Sequence, residues 1–217
     1  VDLDRVFGGA RMANVGGRTF VNIDGAKASN YIVINRLYGG NDIAGTIGTS
    51  TAALPTVLAD HAANNHVDKS WNALLLISSK PLSTYTAEEA DAYNNEHHFN
   101  DGDEGYVKAG DVKDPNEKIY IGQLFGGGDG EYTYGSRQET TGEGDEAVTK
   151  TVYYAIEDKV EVATSSTELT PPVLGKTFLD IHGGSIVYAY GGGNNATVTE
   201  ATVISVDNPS AVVNSII

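Results

Sequence analysis

At 217 residues, with 40% hydrophobic side chains, the chain is long enough to bury a sizeable core, and this composition excludes disorder of the whole. The formal charge is −15, and residues 86 to 146 alone hold 16 acidic against 4 basic side chains, which excludes nucleic acid and disfavours anionic membranes as partners because phosphate binding needs clustered Lys and Arg. Cysteine is absent, so neither disulfides nor thiolate metal sites contribute, and no apolar run approaches the ~18 residues of a membrane-crossing helix, which argues against membrane insertion.

The start, Val1-Asp2-Leu3-Asp4-Arg5, is not a signal peptide and lacks an initiator Met, so the chain reads as a processed product or a fragment. From Arg5 onward short strands are broken by glycine: Arg5 to Phe7, Ala13 to Val15, Thr19 to Ile23 and Tyr31 to Leu37. Thr19 to Ile23 alternates, with Phe20 and Asn22 on one side and Val21 and Ile23 on the other. Ala52 to Asn65 reads as loop, since Pro55 fits only a first helical turn and Asn64-Asn65 interrupts any helix. Val67 to Ser79 reads as a strand buried on both sides, with Trp71, Ala73, Leu75 and Ile77 on one face and Leu74 and Leu76 on the other. Thr86-Ala87-Glu88-Glu89 is a capping box and predicts a short helix over Ala87 to Asn94. Residues 100 to 118 are charged and turn-rich, and Gln138 to Glu146 predicts a mobile excursion. Strand character returns at Thr151 to Ile156, Lys159 to Ala163 and Val198 to Val206.

One motif punctuates this order: an aromatic residue followed by two small residues at a corner. It stands at Phe7-Gly8-Gly9, Tyr38-Gly39-Gly40, Phe125-Gly126-Gly127 and Tyr190-Gly191-Gly192. Aromatic side chains suit strands, while paired glycines allow φ > 0 and close backbone approach, so the motif should end a strand and turn the chain the same way each time. Thr177-Phe178-Leu179-Asp180-Ile181-His182 also aligns with Thr19-Phe20-Val21-Asn22-Ile23-Asp24, each followed by a strand and then a corner. Repetition in the same order predicts an all-β chain, a right-handed parallel β-helix forming one domain over residues 1–217, with loop and short-helix insertions concentrated at about 86–146. An antiparallel sandwich is the competing arrangement, and antiparallel hairpins between the corners are what would reject the helix. The expected core includes Phe7, Val21, Ile23, Ile34, Leu75, Ile77, Leu124, Leu179, Ile181 and Val203.

The stretches Arg5 to Ala13, Leu37 to Gly45, Ile119 to Gly128 and Ala189 to Asn194 resemble the glycine-rich repeats of large, adhesin-like surface proteins of Bacteroidetes, and the helix at Thr86 to Asn94 resembles an insertion found in them. The resemblance covers about half the chain and implies an exported, repeat-built protein at the cell surface or outside the cell. It carries no catalytic residues over.

Chemistry is sparse. In the acidic loop, Asp101, Asp103 and Glu104 offer oxygen ligands for Ca²⁺, but Gly105 takes a ligand position of an EF-hand and Tyr106 the position that needs glycine, so a solvated loop is the plainer reading and no cofactor is expected. His97 and His98, with His61 and His66 upstream, lack metal-ligand spacing. Asp24 and Asp180 at strand ends, with Asp42 and Asp129 after corners, are the carboxylates a β-helical polysaccharide lyase or glycoside hydrolase would use, although acidic residues beside glycine turns are ordinary turn chemistry. The late-crowded tyrosines, among them Tyr132, Tyr134, Tyr188 and Tyr190, suit either strands or contact with a host protein or glycan. The tail ends apolar, with Val212, Val213, Ile216 and Ile217, which fits either strand pairing with another copy or continuation into repeats missing from a fragment, and the expectation is end-to-end self-association into a filament. The expected function is therefore a non-enzymatic extracellular structural or adhesive surface protein, a filament-forming subunit or a fragment of a longer repeat protein, with a β-helical carbohydrate-active enzyme as the alternative.

Overall fold

A computed structural model describes residues 1–25, 28, 30–48, 71–78, 85–111, 118–142, 144–156, 160–163, 169–206 and 211–217. Twelve named strands run in chain order among these residues: β1 (Asp2–Phe7), β2 (Thr19–Asp24), β3 (Ile32–Tyr38), β4 (Trp71–Ser78), β5 (Ile119–Phe125), β6 (Tyr134–Thr141), β7 (Val148–Ala155), β8 (Val160–Ala163), β9 (Lys176–His182), β10 (Ser185–Tyr190), β11 (Thr202–Val206) and β12 (Val212–Ile216). A helix, α1 (Ala87–His97), lies between β4 and β5.

Nine strands form two sheets whose pairings are all parallel, a five-stranded one ordered β1-β3-β5-β10-β12 and a four-stranded one ordered β2-β4-β9-β11. Except where β6 to β8 intervene, successive strands alternate between the two sheets. Leu75, Ile77, Leu179 and Ile181 of the second sheet pack with Ile34, Leu37, Ile121, Leu124 and Ile186 of the first. The opposite side of the second sheet is also buried, around Trp71, Leu74, Leu76 and Phe178. A third row, Val15, Ile47, Val173 and Val198, is linked by single parallel bridges.

The expected fold is corrected. A single right-handed parallel β-helix does not describe the chain, because β6, β7 and β8 form a separate antiparallel sheet between the corners at Phe125 and Tyr190. Such hairpins were the arrangement that excludes it. The stretch read as a mobile excursion is half strand: Gln138 pairs with Thr151, the Thr140 and Thr149 hydroxyls are 2.9 Å apart, and Glu139 faces Lys150. Charged and hydroxyl residues hide a strand whose exposed pairs are held by cross-strand contacts rather than by a buried face.

Smaller readings shift as well. Trp71 lies with Leu74 and Leu76 rather than with Leu75 and Ile77, since a register shift between Trp71 and Ala73 reverses the alternation there. The capping box forms, with the Glu89 amide donating to the Thr86 hydroxyl at 3.2 Å and the Thr86 amide to the Glu89 carboxylate at 2.9 Å. The helix runs on to His97 because the imidazole stacks on Tyr93 with centroids 4.1 Å apart, and His98 then ends it in the left-handed conformation at φ 58°. Ile34, Leu75, Ile77, Leu124, Leu179 and Ile181 are buried, whereas Phe7, Val21, Ile23 and Val203 are only half-buried because they lie on the outermost strands or next to them. Ala52 to Asn65, with His61, and His66 lie outside the described residues.

Candidate functional site

The four corners meet. Phe7 pairs with Tyr38, Tyr38 with Phe125 and Phe125 with Tyr190, each at the end of its strand register. Their rings stack at centroid distances of 4.8, 4.8 and 4.6 Å, within 8° of parallel. Ring spacing therefore equals strand spacing, and each contact contributes roughly 0.5–1.5 kcal/mol beyond area burial.

The glycines behind the rings stack in the same order. Gly8, Gly39 and Gly126 donate to the carbonyls of Tyr38, Phe125 and Tyr190 at 2.9 Å, and Gly9, Gly40 and Gly127 donate to Gly40, Gly127 and Gly192 at 3.0–3.1 Å. None of these corner glycines has a positive φ. What demands glycine is close approach: a Cβ on Gly8 would sit 2.6 Å from the Gly39 carbonyl oxygen, and one on Gly39 or Gly126 would run into the carbonyl oxygens of Gly126 and Gly191. Gly191 donates to the Ile217 carbonyl at 3.3 Å, so the tail takes the next place in this row.

Asp42 and Asp129, each a few residues past a corner, are brought together around Arg5. The Arg5 Nη1 lies 3.8 Å from Asp42 Oδ1 and 3.5 Å from Asp129 Oδ2, and it donates to the Tyr132 hydroxyl at 3.2 Å. That hydroxyl donates to Asp42 Oδ1 at 2.8 Å, Arg11 Nε approaches Asp42 Oδ2 at 3.7 Å, and Asn194 Nδ2 donates to Asp129 Oδ1 at 2.9 Å. Arg36 donates to Glu131 at 2.8 Å on the same side. Burial raises the Asp42 pKa first, and the Asp129 charge adds to it, against the lowering effects of Tyr132, Arg5 and Arg11. Burial and then Asp129 also raise the Tyr38 phenol, whose hydroxyl is buried near Arg36 and Asp129 without a well-directed hydrogen bond. Tyr134 anchors the antiparallel sheet here by donating to the Ile43 carbonyl, and burial pushes its phenol up to about 12.

Chemically this is a charged lock on the corners. Each carboxylate oxygen named above already faces a guanidinium, phenol or amide of the same chain, so acid–base work would have to break those contacts. Asp24 and Asp180 lie elsewhere, on β2 and β9. Thr19, at the start of β2, donates to the Gly39 corner at 2.5 Å, and Asp24 lies five residues further along, about 16 Å at strand rise. Asp180 is buried with its Oδ1 2.8 Å from His182 Nε2.

The acidic loop spends its carboxylates locally. Asp101 Oδ1 lies 3.1 Å from Lys108 Nζ, Asp103 Oδ2 accepts from the Asn100 amide at 2.7 Å, and Glu104 is exposed. Among the described residues, no group of three or more His, Asp or Glu is placed to hold a metal ion. His97 Nδ1 is 2.8 Å from the Tyr93 carbonyl and belongs to the helix end.

Sequence reasoning named Asp42 and Asp129 but missed Arg5, Arg11, Tyr132 and Asn194 as their partners. One signal was available: Asn41-Asp42, Asp129 and Asn194 come just after successive corners, and stacked corners bring the residues behind them side by side. Compared with models of protein families, with curated proteins and with solved structures, the chain matches none.

Proposed function

We propose that the chain is a non-enzymatic structural or adhesive protein of the cell surface or extracellular space, and that copies join end to end. The observation that carries the reading is the contrast between the two edges of the five-stranded sheet. β1 carries Asp2, Asp4 and Arg5, charges that keep two β1 edges from pairing with each other. β12, Val-Val-Asn-Ser-Ile, carries none, pairs only with β10 among the described residues, and leaves Val212 54% and Ile216 58% exposed, with Ile217 just past it 69% exposed. A second copy presenting β1 to this edge would continue the sheet in parallel. Asn214 would then meet Asp4 as Asn35 does, whose amide donates to Asp4 at 3.0 Å. Exposed Tyr120 and Tyr188 on the first sheet, with Tyr31 just before β3, support contact with a host protein or glycan.

Deleting residues 211–217 should abolish oligomers in light scattering and electron microscopy. Because the deletion also uncovers β10, a double replacement, Val212→Lys with Ile216→Lys, charges the edge while leaving the strand in place, and it should give the same loss. An intact chain that stays monomeric at high concentration sinks the reading.

A carbohydrate-active enzyme is the second reading, favoured by the convergence of Asp42 and Asp129. Polysaccharide cleavage by the intact chain that disappears in Asp42→Asn or Asp129→Asn would establish it in place of the first.

A further inference from the structure

The two parallel sheets are unequal. Corners and loops join first-sheet strands to second-sheet strands in pairs, β1 to β2, β3 to β4, β5 to β9 and β10 to β11, and β12 then adds a fifth strand to the first sheet alone. Among the described residues nothing pairs with β11 on the side away from β9. Its residues read exposed, half-buried, half-buried, half-buried and exposed, whereas the middle of β9 is buried throughout.

We propose that the outer edge of β11 is an acceptor site for one extended peptide segment, which adds as a parallel fifth strand of the second sheet opposite β12. The width fits: one strand spacing is ~4.8 Å, and β12 reaches one strand further than β11 does. The chemistry of the ligand is set by the rows it would extend. The row Thr19, Ala73, Thr177, Thr202 is small and hydroxyl-rich, and Thr177 donates to the Gly191 corner carbonyl at 2.6 Å. The rows Val21, Leu75, Leu179, Ile204 and Ile23, Ile77, Ile181, Val206 are aliphatic, and all of these side chains but the exposed Val206 pack in the core. The ligand is therefore a segment with a hydroxyl residue followed, two and four positions later, by aliphatic side chains that fill the space beside Ile204, Val206 and Val213.

β11 itself, Thr-Val-Ile-Ser-Val, contains no charge to oppose pairing. Main-chain hydrogen bonds would supply affinity and the aliphatic rows selectivity, as in other additions of a strand to a sheet edge. A second copy of the chain is disfavoured as occupant by collision. If its β2 took the place beside β11, its β1 would need the position on β10 that β12 already holds. The site does not use the outer edge of β12, through which copies would join end to end.

The test uses the full chain and a fluorescein-labelled peptide of residues 176–182, Lys-Thr-Phe-Leu-Asp-Ile-His, whose sequence already pairs with β11 from its other side. Saturable binding by fluorescence polarisation is expected, with slowed amide hydrogen exchange confined to residues 202–206. A peptide carrying Leu179→Asp and Ile181→Asp should bind at least tenfold more weakly. The proposal is overturned by no saturable binding, by equal binding of the substituted peptide, or by protection appearing at β1, β2 or β12 instead. Protection of β11 that rises with protein concentration alone would assign the site to a second copy and also overturn it. Oligomers that form while the peptide does not bind sink this site and leave the assembly reading standing.

Discussion

A Cβ is the smallest change that separates the corner glycines by role. Gly39→Ala would drive its methyl into the Gly126 carbonyl, with Ala73 Cβ 3.3 Å away on the other side, and neither is the end of a flexible side chain. The expected loss is about 2–3 kcal/mol of unfolding free energy, the cost of overpacking a rigid site. Gly192 sits in the same motif with nothing within 4 Å of its added Cβ, so Gly192→Ala should stay within about 0.5 kcal/mol of the parent. Urea midpoints of the two variants check the pair, and equal losses would mean that the glycines serve turn conformation after all. Asp42 gives a second test. Its folded pKa is raised by burial above the ordinary 3.8, so the native state binds more protons than the unfolded chain just above that pH. Stability from this group therefore falls as pH rises through the window above 3.8. Asp42→Asn removes the titration, and with it both the burial penalty of the ionised carboxylate and its offsetting ion pairs with Arg5 and Arg11. The variant should consequently gain on the parent as pH rises above 3.8 in parallel denaturation series, and a widening deficit would show that the arginines, not burial, dominate. The motif was legible in the sequence because four aromatics each precede two glycines, but the Arg5 lock was not, since 124 residues separate Arg5 from Asp129.

Elements whose hydrogen bonds are local could be read from the chain, and elements held by distant partners could not. The capping box at Thr86 is a three-residue relation, and it forms as the spacing requires. Thr86→Ala removes the acceptor for the Glu89 amide and should lower local stability of α1 by about 1 kcal/mol. Faster amide exchange in residues 87–91, with exchange in β5 and β9 unchanged, is the expected signature. The alignment of Thr19 to Asp24 with Thr177 to His182 also corresponds to structure, because both strands pair with β4 in one register, Thr19 and Thr177 flanking Ala73. By contrast β6 and β7 present Arg137, Gln138, Glu139 and Lys150 where a buried strand would show alternation. Nothing in such a segment signals pairing until its partner is known. Trp71 fails for a related reason, since strict alternation assumes a regular ladder and the register shift beside it breaks one.

At the scale of the whole molecule, charge and edges pull in opposite directions. The chain carries −15 overall, yet β11 and β12 contain no ionisable side chain, and β1, which would meet β12, nets only one negative charge from Asp2, Asp4 and Arg5, so the joint is close to neutral while much of the rest repels it. Much of that repulsion comes from residues 86 to 146, whose described acidic side chains are mostly exposed. Between exposed charges it reaches about 30 Å at 0.01 M salt and about 8 Å at 0.15 M, a range that shrinks below the width of a small domain as salt is added. Pairing through apolar rows and backbone hydrogen bonds is not weakened in the same way. End-to-end growth should therefore speed up as salt rises from 0.01 to 0.15 M, with little change in the final ordered length per subunit seen by electron microscopy. A steering contact between unlike charges predicts the reverse, slower association with added salt. Light scattering of the intact chain across that salt range separates the two. The Val212→Lys and Ile216→Lys double replacement should remain unassembled at both salts, because screening does not return the lost apolar contact to the edge.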